Sequence, residues 1–420
     1  MQKLDYITKK LGFAAILFFP LEIYRISFPF INLSLFRICL LAMFALFICR
    51  LFMVQKLAKS SLNIGLYLLL LAIFGSISHA IVAGETDFSF LSYALNQLFG
   101  VLLIFTFYNL YRTEKDTGKL LHYYLLSMSI FVFFFVYYYY SYFIQGVHIT
   151  TLPFTDLLPL NLIESTLYSG TAAGFPRLSL PINNPPHISQ TIAIAIIILI
   201  GYFVYCRMNR LGIIISLVLL YLVMFSTVSR SGIFALFITI GLIILLTLSM
   251  DKQRAYFLIK LHVVLFVILL FIYFVMDVRD MVNLTRLVSL DLVESRHFAI
   301  RMEGLEYIFS DIGVFLFGIG FRQTGVLMTE TNAHLHSSYL TVFLERGLIG
   351  FLMTFYIYIL VLVRLIRLYF SQKDMLSFIL LNSFICLLIG NLFYEFMHIL
   401  PAWILLAASS VHLANYEKKV

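Results

Sequence analysis

Charge is the property that this sequence has least of. Of its 420 residues, 62% are hydrophobic and only 12% are charged, about half the charged fraction of a typical soluble protein. The net charge of +8 would suit a nucleic-acid partner, but the basic residues are scattered and mostly lie beside apolar segments. The composition therefore argues against a soluble protein and against nucleic-acid binding, and it predicts a polytopic membrane protein.

Several catalytic signatures are also absent. The four cysteines lie inside or at the ends of apolar runs, without the spacing of metal ligands. The sequence has no Walker phosphate loop, no nucleophile elbow and no pair of carboxylates at metal-ligand spacing in an outer loop. These absences leave a metal-independent reaction that uses no cofactor as the chemistry to consider.

Long apolar runs occupy most of the chain, and twelve of them are long enough to cross about 30 Å of hydrocarbon. The first run follows lysines but no small-residue cleavage site, so we expect it to be retained. The predicted fold class is an all-α integral membrane protein, with 1–420 as a single polytopic domain. The runs lie near 11–30, 34–54, 62–83, 89–110, 120–144, 187–206, 211–228, 232–250, 256–277, 336–364, 375–393 and 397–415.

The placement of the basic residues predicts the orientation of these runs. With a cytoplasmic N-terminus, every lysine except Lys260 falls on the cytoplasmic side, and the outer side carries arginines. This agrees with the positive-inside rule. Because twelve is an even number of spans, both termini are predicted to be cytoplasmic.

Two predicted outer loops are much longer than hairpin connections, at 145–186 and at 278–335. Loops longer than about 12–15 residues are usually functional or disordered. In the second, larger loop, apolar residues keep helical spacing, which predicts an amphipathic helix over 294–309 on the outer leaflet. These residues are Phe298, Met302, Leu305, Ile308 and Phe309.

Arginines on the outer face are candidates for binding an anionic headgroup. Arg230 lies in the very short turn between the seventh and eighth runs, close to the lipid boundary. Its planar, permanently charged guanidinium suits bidentate contact with phosphate oxygens, although a role in snorkelling to headgroups stays open. Arg301 lies four residues after His297, so both fall near one side of the predicted helix. Its residue type is compatible with a functional role and with a polar position at the margin of an interfacial helix.

His336 lies where the polar second loop gives way to the tenth apolar run. An imidazole can take a proton from a hydroxyl nucleophile near neutral pH. His334 and His336 have no carboxylate or cysteine at ligand spacing, which argues against zinc. Glu345, nine residues further on, is expected to make a structural hydrogen bond within the membrane instead.

A continuous helix would place other residues on roughly the face that carries His336. Tyr339, Leu340, Gly347 and Gly350 have this spacing. The two glycines would let a neighbouring helix approach closely and fix the angle of the histidine.

These residues carry a family resemblance. His336-Ser337, followed after nine residues by Gly347-x-x-Gly350, resembles the pattern of the bacterial O-antigen ligase and polymerase superfamily. The Ser-Arg-Ser-Gly turn at Arg230, the Arg301-Met-Glu-Gly-Leu segment and the Gly-x-Gly of Gly318 and Gly320 are similar to it as well. The twelve-span topology agrees across nearly the whole chain.

The resemblance implies a GT-C-like glycosyltransferase of the bacterial inner membrane, with its active site facing the periplasm. Its donor would be an undecaprenyl-pyrophosphate-linked oligosaccharide and its acceptor a glycan hydroxyl, with no metal or cofactor. By this resemblance Arg230 and Arg301 would stabilise the leaving pyrophosphate, and His336 would orient or deprotonate the acceptor. The secondary candidates for substrate contacts are Arg177, Arg322, His334 and Tyr339.

Three functions stay open at this point. The segment at 19–37 and the His-Ser-Ser-Tyr-Leu sequence resemble the polymerases, which would make a chain-length regulator a further candidate partner. A ligase would differ by transferring the glycan to lipid A-core. A flippase for lipid-linked oligosaccharides is disfavoured, because no internal repeat is visible and the interior charges are few.

Overall fold

Helices make up nearly all of the described chain. The computed structural model describes residues 2–21, 25–27, 32–54, 62–82, 89–111, 113–139, 171–172, 175–176, 184–206, 210–227, 229–275, 296–321, 335–395, 397 and 399–417. Two short antiparallel pairs of strands accompany the helices, β1 (Arg25–Ser27) with β2 (Asn32–Ser34) and β3 (Thr171–Ala172) with β4 (Phe175–Pro176).

The helices follow the apolar runs of the sequence. In chain order they are α1 (Gln2–Phe18), α2 (Leu35–Val54), α3 (Leu62–Val82), α4 (Ser89–Leu110), α5 (Glu114–Tyr139), α6 (Pro185–Tyr205), α7 (Arg210–Ser226), α8 (Arg230–Met250), α9 (Lys252–Val275), α10 (Arg296–Ser310), α11 (Ile312–Phe317), α12 (Ser338–Gln372), α13 (Met375–Phe393) and α14 (Leu400–Glu417).

The length and composition of these helices identify a multi-pass membrane protein. Among the described residues, seven helices are long and apolar enough to cross a bilayer, namely α2, α3, α5, α6, α8, α12 and α13. Two further apolar segments, Gln97–Leu110 of α4 and Arg210–Ser226 of α7, are shorter. Helices satisfy their own backbone hydrogen bonds, which is why apolar runs in lipid adopt this structure. The full number of twelve spans stays a prediction.

The first apolar run differs most from its prediction. The sequence predicts a span over 11–30, but α1 ends at Phe18 and a short 3-10 helix, Phe19–Leu21, follows it. Pro20 explains the end, because a proline lacks the backbone N–H of a helix interior and disfavours helical conformation in the residue before it. Strand β1 then lies within the predicted outer end of the run, and β2 follows the run.

The chain, predicted as one membrane domain, divides into two compact units built from discontinuous segments. The first consists of Met1–Phe52, Gly118–Ser289 and Asp374–Cys386, and the second of Met53–Thr117, Leu290–Lys373 and Leu387–Val420. In the first unit α6 is almost wholly buried. Asn184 caps its N-terminus, and Pro185 and Pro186 occupy its first turn, where the missing N–H groups cost nothing.

Two glycines let the helices of the first unit approach α6 closely. A Cβ at Gly201 would overlap Ile379 of α13, and one at Gly232 of α8 would overlap Ser189. The Gln190 amide also donates to the carbonyl of Cys386 at 2.9 Å, a buried polar contact between α6 and α13. α6 is therefore the helix around which the first unit packs.

The second unit is organised around α12, which packs against α3 and α11. Gly65 of α3 lies against Ile357, and Gly100 of α4 lies against the ring of Trp403 in α14. Both glycines would lose this close packing if they carried a side chain. The second unit contains α10 and the turn before α12, where His336 lies.

α12 is broken at Gly347, whose backbone has φ of +62° and ψ of −175°. The C-terminal end of α11 lies against this break, since a Cβ at Gly347 would overlap the backbone of Leu316 and Phe317. The Ile319 N–H donates to the Leu344 carbonyl at 2.9 Å, and the Gly320 N–H donates to the Glu345 carbonyl at 3.1 Å. The segment after α11 thus satisfies carbonyls beside the break, as irregular backbone at membrane depth requires.

Candidate active site

His336 lies in the turn that leads into α12. Its backbone has φ of +51°, in the left-handed region, which histidine adopts more often than most residues do. Ser337 follows with an extended backbone and is the N-cap residue of α12. The imidazole stacks on Tyr394, with ring centroids 5.2 Å apart and an angle of 29° between the ring planes. The turn therefore directs the histidine side chain away from the axis of α12 and towards the end of α13.

One face of α10 packs against the turn that contains His336. Ile300, Gly304 and Ile308 are buried and recur every four residues, so they share a face of the helix. Gly304 lies so close to Leu335 that a Cβ at this position would overlap the leucine side chain. The buried cluster of Ile300, Ile308, Leu335 and Leu344 then fixes α10 against α12.

The predicted apolar stripe of this helix differs from the buried one. Met302 is 40% exposed and Phe309 is 67% exposed, whereas Ile308 is buried. The reason is that the buried face of α10 makes its closest contact at Gly304, which lies against Leu335 and carries no apolar side chain of its own. Exposed apolar side chains on a short helix suit a location at a lipid surface.

Arg301 joins α10 to the backbone of His336. Its Nη2 donates to the His336 carbonyl at 2.7 Å and to the Phe393 carbonyl at 3.2 Å, and its Nε donates to the Leu335 carbonyl at 3.4 Å. Burial lowers the pKa of the Arg301 guanidinium. The usual pKa of this group is so high that the guanidinium stays charged at neutral pH. Nη1 makes no hydrogen bond to any described residue, so this nitrogen keeps donors for a ligand.

The turn after α13 completes the surroundings of His336. The Ser338 hydroxyl donates to Oδ1 of Asn391 at 2.7 Å and accepts from the Met397 N–H at 3.2 Å. The Thr341 hydroxyl donates to Oε1 of Glu395 at 2.8 Å. Side-chain hydrogen bonds therefore hold the first turn of α12 to the end of α13 and the turn that follows. Glu395 places a carboxylate in this turn.

Tyr394 and Glu395 are the residues that the sequence analysis missed. No motif marks them, and the predicted interruption between the last two apolar runs is very short. The signal that could have found them is topological: that interruption falls on the same predicted outer face as His336.

Tyr339 is anchored within the second unit. Its hydroxyl donates to the Leu388 carbonyl at 2.8 Å, and its ring stacks on Phe355 with centroids 5.0 Å apart. The hydroxyl proton is therefore used on the backbone of α13. The half-buried Tyr339 side chain could still present an edge to a substrate, and its role in lining the site stays a prediction.

The prediction of one continuous helical face is wrong in two respects. His336 precedes α12 and has a left-handed backbone, so it does not share the helical repeat of Tyr339. The break at Gly347 also interrupts the repeat, and the close neighbour of this glycine is the end of α11. A Cβ at Gly350 would meet the side chain of Arg346 first, and this side chain belongs to α12 itself.

Arg230 belongs to the first unit, where it is the first residue of α8. The flanking serines are buried, and their hydroxyls lie 3.0 Å apart. The N-cap residue, Ser229, makes no side-chain hydrogen bond that caps the helix. Arg230 is half-buried at the N-terminus of α8. At a helix N-terminus, the helix dipole and the backbone N–H groups favour an anion.

Arg301, His336 and Tyr339 are together in the second unit. The other predicted site residues, Arg177, Arg322 and His334, lie outside the described residues. The same holds for most of the first long loop and for 276–295 and 322–334 of the second.

No protein-family model matches the chain, and no curated protein matches it in sequence. The chemistry of the candidate site therefore rests on its own geometry and on the motif around His336.

Proposed function

We propose that this protein is an O-antigen polymerase, a metal-independent inverting glycosyltransferase of the bacterial inner membrane. It transfers an undecaprenyl-pyrophosphate-linked glycan to a hydroxyl of another lipid-linked repeat unit at the periplasmic face. The proposal includes twelve spans, a GT-C-like architecture and cytoplasmic termini. The chain would work with its two lipid-linked substrates, the surrounding lipids and a chain-length regulator.

The observation that carries the proposal is the contact between Arg301 and His336. The two residues are 35 positions apart, and the family resemblance independently points to both. The 2.7 Å hydrogen bond joins the Arg301 guanidinium to the backbone carbonyl of His336, the residue whose imidazole is the candidate proton acceptor. A glycosyl transfer from a pyrophosphate needs this pair of functions: one group to stabilise the departing charge and one to receive a proton.

The reaction can be written with its atoms balanced. The acceptor hydroxyl oxygen attacks the anomeric carbon from the face opposite the leaving group, and its proton passes to the imidazole of His336. The bond between the anomeric carbon and the phosphate oxygen breaks, and undecaprenyl pyrophosphate leaves with the electron pair. The free Nη1 of Arg301 would contact the departing oxygens. The resemblance gives Arg230, the first residue of α8, a role with the pyrophosphate as well.

Glu395 would help to position His336. It accepts from Thr341 in the first turn of α12, and it is the neighbour of Tyr394, on which His336 stacks. Both contacts hold the turn that carries the histidine.

The second candidate is an O-antigen ligase, which uses the same donor and differs in its acceptor, the lipid A-core. Both enzymes require Arg301 and His336, so the geometry favours neither. A flippase stays a distant alternative, because it has no need of a proton acceptor beside an arginine at the edge of a span. The preference for a polymerase rests on the resemblance of the segment at 19–37 and of the His-Ser-Ser-Tyr-Leu sequence.

The test is a lipopolysaccharide gel of a strain that lacks this protein and is complemented with variants of it. We expect the deletion strain to carry core with a single repeat unit and the wild-type chain to restore the ladder. His336→Ala should lower the yield of polymer at least about a hundredfold, since general acid–base catalysis contributes roughly 10²–10⁴ in rate.

Matched variants separate loss of chemistry from loss of folding. His122→Ala changes an exposed histidine of α5 in the first unit and should restore the full ladder. Bare core in the deletion strain, with long glycan left on its lipid carrier, would identify the ligase. A normal ladder from His336→Ala, at wild-type protein level, would rule out the proposed catalytic role.

A further inference from the structure

A cavity of about 590 Å³ lies within the second unit, between α3, α11 and α12. Its walls are mostly apolar, and its polar lining includes Arg346 and His79. The cavity is distinct from the candidate active site, since its lining contains neither His336 nor Arg301. The cavity is lined in part by Leu71, Gly75, His79, Phe317, Arg346 and Met353.

Arg346 is the unusual residue of this cavity, because it carries a charge inside an apolar helix. Its side chain is almost completely buried, and the residue is only 3% exposed. Nη1 donates to the Thr354 hydroxyl at 2.8 Å and Nη2 to the Gln97 amide oxygen at 2.5 Å. Nε, by contrast, has no hydrogen-bond partner among the described residues. A buried cation with an unused donor is costly unless an anion compensates it.

The neighbour of Arg346 in the chain, Glu345, is also buried. No ion pair joins Arg346 to a carboxylate in the part of the chain that the structure describes. The carbonyl of Glu345 is instead held by Gly320 and Ser76, at the break in α12. Arg346 therefore keeps its capacity for a directed contact with an anionic oxygen.

The cavity is open at the surface of the second unit. Leu71, Gly75 and His79 are exposed along one side of α3, and Phe317 is exposed at the end of α11. A Cβ at Gly75 would meet no atom within 4 Å, so the glycine leaves room at the opening. An apolar, open cavity with a cation in its lining suits an amphiphile that has an apolar chain and an anionic head.

We propose that this cavity binds the phosphate group of a lipid. Arg346 contacts the phosphate oxygens, His79 lies near the opening, and the apolar walls hold the first part of the lipid chain. The volume is far larger than a free phosphate ion needs, and the apolar lining would leave most of such an ion unpaired. The site is separate from that of glycan transfer and does not depend on it. The lipid is either a phospholipid or a polyprenyl phosphate.

Native mass spectrometry of the purified full chain in detergent tests the proposal. Two matched pairs of probes are titrated, undecaprenyl phosphate against undecaprenol and phosphatidylglycerol against diacylglycerol. We expect each phosphorylated lipid to bind at least about tenfold more tightly than its neutral partner, since a hydrogen bond to a charged group is worth about this factor. Arg346→Gln should remove the preference.

Gly75→Leu tests the cavity without touching the cation. The added side chain would fill the opening, where the structure has space for it, and should weaken binding of the phosphorylated lipids at least about tenfold. Gly241→Leu is the matched control, because Gly241 is also an exposed helical glycine with no atom near its Cβ position, and it lies in the first unit. It should bind lipid as the wild type does.

Each outcome of these binding measurements either identifies the lipid or overturns the proposal. Tighter binding of undecaprenyl phosphate than of phosphatidylglycerol would identify a polyprenyl carrier as the occupant, and equal binding would identify the headgroup of a general phospholipid. Equal binding of phosphorylated and neutral lipids would overturn the proposal, as would wild-type affinity in a folded Gly75→Leu chain. A normal ladder from His336→Ala would rule out the proposed catalytic role of His336 but would leave this result unchanged.

Discussion

Gly347→Ala is the sharpest test of the way α12 is built. The glycine has φ of +62° and ψ of −175°, a combination that is essentially restricted to glycine. An alanine here would cost roughly 1–3 kcal/mol in backbone strain. Its Cβ would also overlap the backbone of Leu316 and Phe317, which cannot move aside as the end of a flexible side chain can. Overpacking of this kind costs roughly another 1–3 kcal/mol, so we expect a total of roughly 2–6 kcal/mol.

Unfolding of the purified chain in mixed detergent and SDS micelles measures this cost. Gly241→Ala is the control: it lies in α8 with a free Cβ position, and it should be neutral or stabilising by roughly 0.5–1 kcal/mol. The two substitutions are chemically identical and differ in backbone conformation and neighbours. If Gly347→Ala unfolds like Gly241→Ala, α12 is continuous at this position and the account of the break is wrong.

Two further predictions concern the turn that holds His336. Ser338→Ala should destabilise the chain by roughly 1–3 kcal/mol in the same unfolding assay, because the hydroxyl that bonds to Asn391 and Met397 is lost. The control is Ser249→Ala, which lies at an exposed position and should be neutral. Arg301→Lys should lower the rate of the proposed transfer reaction roughly tenfold or more and should also destabilise the chain by roughly 1–3 kcal/mol, because an ammonium lacks the fork that reaches three carbonyls. Full activity in Arg301→Lys would show that charge alone suffices there.

The positions of the helices could be predicted well from the sequence because lipid imposes a simple rule. A run of about 20 apolar residues becomes a helix, and the ends of α3, α4 and α13 follow the ends of their runs within a residue. The rule failed at the first run, where Pro20 ended the helix early.

The contacts of the candidate site could be predicted only in part. The motif singled out His336 and Arg301, but their meeting depends on Gly304 packing against Leu335, a tertiary contact that spacing along the chain does not encode. The face assigned to Tyr339 and Gly347 assumed a regular helix, and two residues with positive φ removed that regularity. The sequence pattern thus identified residues of the candidate site but not the directions in which their side chains point.

The left-handed backbone of His336 connects these observations. A residue with a side chain costs roughly 1–2 kcal/mol in this conformation, so its surroundings must maintain it. Arg301 binds the carbonyl on one side of the strained residue, Ser338 fixes the following helix to Asn391, and Tyr394 holds the ring by stacking. A histidine that needed only to fill space would not require three separate restraints. Strain that is maintained in this way clusters at active sites and ligand clamps, and here the restraints fix the direction of the imidazole, as the proposed role of His336 requires.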